Sequence, residues 1–333
     1  MSKIILDKEA YFHNLTQIAE KVGCKNQIWL ILKDNAYGHG AVEIAQMARE
    51  FGIKRAVVNC EREAREIAPF FEEVLILSHI ANGGEDERFI YAINSLKDAR
   101  LLKRGSKAHI ACDSGMRRNG VMLDELEQVA ALAAEREIKL CGAFTHFKDA
   151  ENLNGGEFNA QVEAFAAFKR RLGELGVVNL AFHSCNSAGV ERTQNFGIES
   201  VRVGIAQFGY SQCASLQLRP VLSVWAEQIS SRELKKGETM GYGGRFKASS
   251  DMRVATYDLG YGDGLLRYSG EGVLKLARGE QILGKMSMNS FCAKDLGECV
   301  CVFEDARAWA KFFGTIEYEI LVKLSPFIKR EIR

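Results

Sequence analysis

The sequence predicts an α/β chain, a (β/α)8 barrel followed by a smaller, mainly β domain. Three observations carry that expectation. Short apolar runs alternate with longer amphipathic stretches through the first two-thirds. After residue 215 the texture changes to short strand-like runs parted by Gly, Asp and Ser. The length of 333 residues suits two domains at ~150 residues each.

The barrel strands are expected at 28–33, 55–59, 73–78, 88–93, 108–112, 139–146, 179–183 and 200–205, since each is a short apolar run. Helical periodicity fills most of the gaps, at 40–52, 61–69, 122–136 and 157–175. The stretch MLDELEQVAALAAER at 122–136 puts apolar residues on one face and charges on the other, as a helix packed on a sheet requires. A doubly wound open sheet fits the same alternation. Beyond it, 221–230, 236–246, 252–260, 272–276, 280–284 and 298–303 read as strands, and 305–313 as a helix. The polar stretch 212–219 marks the boundary, giving domains 8–215 and 216–333. The opening IIL precedes the first barrel helix and is expected to join the second domain as a strand, taking residues 1–7 with it.

Composition narrows the function. Lys and Arg number 44 against 43 Asp and Glu, a formal charge of +1, so nothing favours nucleic acid or an anionic membrane as partner. No apolar run reaches the ~20 residues that span a bilayer, and the N-terminus lacks the apolar core of a signal peptide. Nine cysteines are scattered without a C-x-x-C pair, which reads as reduced, mostly buried thiols in a cytoplasmic protein without a zinc site.

Lys33 ends the first barrel strand, on the face where such barrels place their chemistry. A strand-end lysine is ordinarily a solvated charge, but here the run KDNAYGHG (33–40) follows it into a glycine turn with Tyr37 and His39. Such a turn offers backbone N–H groups and a hydroxyl to an anion. His146 follows strand six, Asn186 and Ser187 follow strand seven, and Arg202 with Gly204 and Ile205 belongs to strand eight. The loops after strands seven and eight are the usual phosphate site of a barrel. One lysine beside a phosphate cradle suggests pyridoxal phosphate held covalently on that lysine, although many barrels bind phosphate without it.

These residues carry a family likeness. The run KDNAYGHG resembles the cofactor-lysine signature of the alanine racemases. The resemblance continues, in order, at DSGMRRNG (113–120), THF (145–147), NSA (186–188), VRVGI (201–205), GYG (241–243), GYGDG (260–264), GKMSMN (284–289) and EYE (317–319). It implies a homodimer acting on alanine, with Lys33 holding pyridoxal phosphate and serving as one base. Tyr242 from the partner subunit's β domain is then the second base. Racemisation needs a base on each face of the planar α-carbon, since a proton leaves one side and returns from the other. An unassisted phenol is almost wholly protonated at pH 7, so His146 and Arg202 are expected to help through a shared hydrogen-bond chain. By the same resemblance Arg202 meets the cofactor ring nitrogen, and Tyr37, Ser187, Gly204 and Ile205 hold its phosphate. Arg118 and the Met288 amide meet the substrate carboxylate.

The sequence departs from the family pattern in three places. Ala111 stands where many members carry a carbamylated lysine that positions the equivalent of Arg118, so Arg118 must be held differently. The family's Met-Asp is Met288–Asn289, and its frequent C-terminal Arg-Val-Pro-Arg is Phe327 to Arg330. The expected function is L/D-alanine interconversion supplying D-alanine for peptidoglycan. The alternatives are a racemase of broader range, taking serine or lysine, or a non-catalytic pyridoxal phosphate-binding regulator. The latter would need only the barrel, without a β domain bearing Tyr242.

Overall fold

The structure is a computed structural model that describes all residues, 1–333. Contacts divide the chain into two compact units. One comprises Phe12–Asp34 and Ile44–Arg219; the other comprises Met1–Tyr11, Asn35–Glu43 and Pro220–Arg333.

The first unit contains eight parallel strands: Ile28–Ile31, Arg55–Val58, Glu73–Ile76, Ile90–Ile93, Lys107–Ala111, Lys139–Phe144, Ala181–His183 and Val201–Val203. The last pairs with the first, Ile28 opposite Val201, and a bridge from His183 to Ser200 joins the seventh to the eighth. The sheet is therefore closed, and the open-sheet alternative is excluded. A closed parallel sheet has no polar face, which is why Ile28–Ile31 and Ile90–Ile93 are buried throughout. Helices Ala41–Phe51, Glu61–Ile67, Leu96–Leu101, Leu126–Glu135, Glu157–Glu174 and Ser187–Arg192 fill most of the connections. The connection between Ile76 and Ile90 has no helix, in keeping with its lack of periodicity.

The second unit is built on one long strand, Leu222–Leu234. Its first half pairs with Lys3–Leu6 and Cys299–Phe303, its second half with Met252–Tyr257, and a bulge between Gln228 and Ser230 separates the two. Ile4 lies opposite Val224 and Leu6 opposite Leu222, so the opening apolar run is a strand of this sheet. Several expectations here need correction. The region 236–246 holds only the two-residue strands Thr239–Met240 and Phe246–Lys247, because the glycines at 241, 243 and 244 turn the chain at positive φ. The region 272–276 contributes one bridge, Lys275 to Gln281, and no strand. The strands Phe291–Lys294 and Lys329–Ile332 have no counterpart among the expected runs, since four residues carry too little periodicity. The helix Ala306–Phe313 begins at Asp305, whose carboxylate accepts the Arg307 N–H, and ends at left-handed Gly314.

Candidate functional site

The strand Ile28–Ile31 runs through Leu32, whose N–H still donates to Val57 O, to Lys33. There the backbone reverses hand: Asp34, Asn35, Ala36 and Tyr37 all have φ between 51° and 54°. Four consecutive left-handed residues without glycine cost about 1 kcal/mol each, so neighbouring bonds must hold them. Glu63 does so at the start, accepting Asp34 N–H at 2.7 Å and Asn59 N–H at 2.8 Å. In the second unit, Asn35 Oδ1 accepts Ala41 N–H and Gly38 O accepts Arg330 Nη2. Tyr37 is buried there, its ring 5.7 Å from that of Tyr318.

Lys33 lines a cavity of about 310 Å³ at the carboxyl ends of the barrel strands, together with Arg118, His146 and Arg202. Three cations face this space, and no carboxylate lines it. Asn59, Ser78, Asn94 and Asn119 supply neutral polar groups. Such a pocket favours anionic ligands. Arg118 rides on the loop shaped by Asp113, whose Oδ1 accepts the N–H groups of Gly115 and Arg117. Ala111 lies in the cavity wall, and no side chain pairs with Arg118.

Arg202 is buried, and every Nη proton is spent. Nη1 donates to His183 Nδ1 at 2.9 Å and to His183 O at 2.6 Å; Nη2 donates to Thr145 O and Ser184 O. Its Nε–H remains. Burial pushes its pKa down to about 10, which leaves it charged at neutral pH. Arginine only donates, so His183 Nδ1 is an acceptor and its proton sits on Nε2, 2.9 Å from His109 Nδ1. The His183 ring stacks between Phe144 at 5.0 Å and Trp29 at 5.6 Å. The sequence reading missed this Arg202–His183–His109 chain. A histidine ending an apolar barrel strand was its only signal.

Burial, aided by the charges of Arg202, Arg118 and Lys33, pushes His146 down to about 3, so it is neutral at pH 7. Burial likewise lowers His39 and His109 to about 3 and His183 well below its ordinary value. An unfolded chain binds a proton at each near pH 6.5. Folded-state values below unfolded ones mean that stability is intact above about pH 6.5 and falls as pH drops through the window toward 3. The slope is up to about 1.4 kcal/mol per pH unit for each histidine. The urea midpoint is therefore expected to be markedly lower at pH 5 than at pH 7. Equal midpoints would show that these imidazoles are not held neutral.

Ser187 and its neighbours form a second cluster in the same unit. Ser187 Oγ accepts Gly204 N–H at 3.0 Å and Ala206 N–H at 3.3 Å, so its own proton is left to donate outward. The Gly204 amide is thus already used, leaving that of Ile205. Asn186 caps the helix that follows it: its Oδ1 accepts Gly189 N–H, and its Nδ2 donates to Phe147 O. Its amide shapes the loop, with one N–H to spare.

In the other unit, three motif segments meet. A Cβ on Gly241 would lie 3.9 Å from Lys285 N, and one on Gly260 would lie 2.3 Å from Met288 O. Gly262 N–H also donates to Met288 O. Tyr242 and Met288 stand out from these turns, 66% and 56% exposed.

Comparison with known proteins shows the family and the fold. The family model "Alanine racemase, N-terminal domain" matches residues 6–212, and "Alanine racemase, C-terminal domain" matches 221–332. An alanine racemase of Campylobacter concisus is 53% identical over 336 residues, covering 99% of each chain. Among solved structures, an alanine racemase of Bacillus anthracis with bound L-Ala-P is 28% identical with a TM-score of 0.90, covering 100% of this chain and 95% of that one. The Bartonella henselae enzyme, solved with covalently bound pyridoxal phosphate, shares the fold at 24% identity and a TM-score of 0.84, covering 100% and 99%.

Proposed function

We propose a two-base alanine racemase, from the premise that this chain belongs to the alanine racemase family. Its cofactor is pyridoxal phosphate, which when bound draws electrons from the substrate α-carbon and makes the α-proton removable. The residues present fit that group. The observation that carries the reading is the cavity around Lys33, walled by cations and free of carboxylates. It suits an amino-acid carboxylate beside Lys33, and the Ser187 cluster in the same unit offers the phosphate donors.

Lys33 holds the cofactor through Nζ and moves the proton on one face. The one unspent donor of Arg202, its Nε–H, would be the group offered to the cofactor ring nitrogen. A permanently charged donor keeps that nitrogen unprotonated. The Ser187 hydroxyl proton and the Ile205 amide bind phosphate. Asn186 and Gly204 hold these groups in place. Arg118 orients the substrate carboxylate. His146, held neutral, polarises the second base by itself: every Arg202 Nη donor is committed elsewhere, so the shared Arg202–His146 hydrogen-bond chain expected from the sequence does not form.

That second base is Tyr242 of the partner subunit, and the Met288 amide joins it at the substrate. The exposure of both side chains on adjoining turns supports a role against another copy of the chain. The protein then works as a cytoplasmic homodimer and supplies D-alanine for the cell wall. A broader racemase remains the second reading, favoured by the uncharged polar wall of Asn59, Ser78 and Asn94.

The test is racemisation by the purified protein over a panel of amino acids, read by chiral chromatography. Alanine is expected to turn over fastest, and absence of D-alanine from L-alanine would sink the proposal. Borohydride treatment is expected to fix the cofactor on the peptide containing Lys33; its recovery on any other lysine would refute the assignment. For the shared site, Lys33→Ala and Tyr242→Phe subunits should regain activity when mixed, one intact site forming per heterodimer. Verified heterodimers that stay inactive would argue for sites complete within one chain.

A further inference from the structure

Glu191 is a buried carboxylate, 3% exposed, with no cation against it. It lies in the last turn of helix Ser187–Arg192, where the helix dipole disfavours negative charge. Its stabilisation comes wholly from neutral donors on one short stretch of chain. Oε1 accepts Gln212 N–H at 2.7 Å. Oε2 accepts the N–H groups of Cys213 and Ser215 at 3.3 and 3.2 Å and the hydroxyls of Ser211 and Ser215. The Ser215 hydroxyl also reaches Glu191 O at 3.2 Å. A carboxylate that gathers this many donors is a strong tie, because charge-assisted bonds are about twice as strong as neutral ones.

The stretch it gathers is continuous with the cradle. Gly204 and Ala206 donate to Ser187 at the start of the helix, and the chain then runs through Ile205–Phe208 to Ser211. The helix is thus tied at both ends to one segment, 204–215, by Ser187 at its first residue and by Glu191 one turn later. Moving either tie changes the spacing between the Ser187 hydroxyl and the Ile205 amide. We propose that Glu191 is a positioning residue for the phosphate cradle, setting the distance between its donors without touching the ligand. This rests on the reading that Ser187 and Ile205 bind the cofactor phosphate.

The experiment compares pyridoxal phosphate with pyridoxal, which lacks only the phosphate. The full-length protein, stripped of cofactor, is titrated with each and followed by the absorbance change on binding. Glu191→Gln keeps shape and loses charge; it is expected to weaken pyridoxal phosphate about tenfold and pyridoxal less than twofold. Ser187→Ala should discriminate in the same way, and the double variant should lose little more than either single one. Ser215→Ala removes one hydroxyl donor while keeping the backbone N–H at 215 and the carboxylate, and should show a smaller loss of the same kind. It serves where Glu191→Gln fails to fold. Equal weakening of both ligands, or none, by Glu191→Gln with discrimination intact in Ser187→Ala would overturn the role of Glu191 alone. Failure of Ser187→Ala to discriminate would overturn the cradle reading beneath it.

Discussion

A Tyr242→Phe protein is expected to lose α-proton exchange from L-alanine by roughly 10²–10⁴-fold, while exchange from D-alanine persists. The asymmetry follows from two bases on opposite faces. In the proposed two-base reading Lys33 takes the proton from the D-enantiomer and Tyr242 from the L-enantiomer, so removing the phenol should silence one face. Tyr242 stands exposed in a turn flanked by Gly241 and Gly243, so Phe removes the hydroxyl without opening a core cavity. A folding defect is thereby separated from a chemical one. Proton NMR of each enantiomer in D2O provides the measurement. Equal loss from both would mean that Tyr242 supports the site generally and is not the base of one face.

Gly38→Ala is expected to destabilise the fold by about 3 kcal/mol or more. Gly38 has φ +80°, and an added Cβ would lie 1.9 Å from Leu321 O and 2.8 Å from Leu321 C. Both are backbone atoms within the helix Glu317–Val322, so neither can yield cheaply. Gly52 gives the control: its φ is +99°, but nothing lies within 4 Å of a Cβ there. Gly52→Ala should cost only the left-handed strain, about 1 kcal/mol. Denaturant midpoints of the two variants measure the difference. Equal costs would show that close backbone approach is not why the motif has a glycine at 38. Since Gly38 closes the left-handed turn begun after Lys33, the alanine variant should also bind cofactor poorly.

That second case shows how far local pattern carries. The glycines of KDNAYGHG read, from sequence, as a turn offering amides to an anion. In the structure Gly38 makes room for Leu321, and its carbonyl accepts from Arg330, nearly three hundred residues away. The requirement for glycine was legible; its reason was not, because the partner is remote in the chain. Asn186 is the opposite case: the sequence marks it as a phosphate donor, and the fold uses it as a helix cap through a partner only three residues on, the Gly189 N–H.

What the sequence by itself determined is the alternation of buried strands and amphipathic helices, the change to β texture after residue 215, and the ordered motifs that place Lys33, Arg118, His146 and Arg202 in or just after barrel strands. The first two follow from burial that repeats every two or 3.6 residues, a property of neighbours in the chain, and the motifs are legible through their family resemblance. Only the tertiary structure decided the closure of Val201–Val203 on Ile28–Ile31, the left-handed turn after Lys33, the Arg202–His183–His109 chain and the burial of Glu191. Each of these depends on groups far apart in sequence whose desolvation must be met by particular donors and acceptors. No local period records that pairing, because its free energy exists only once the distant partners have been brought together.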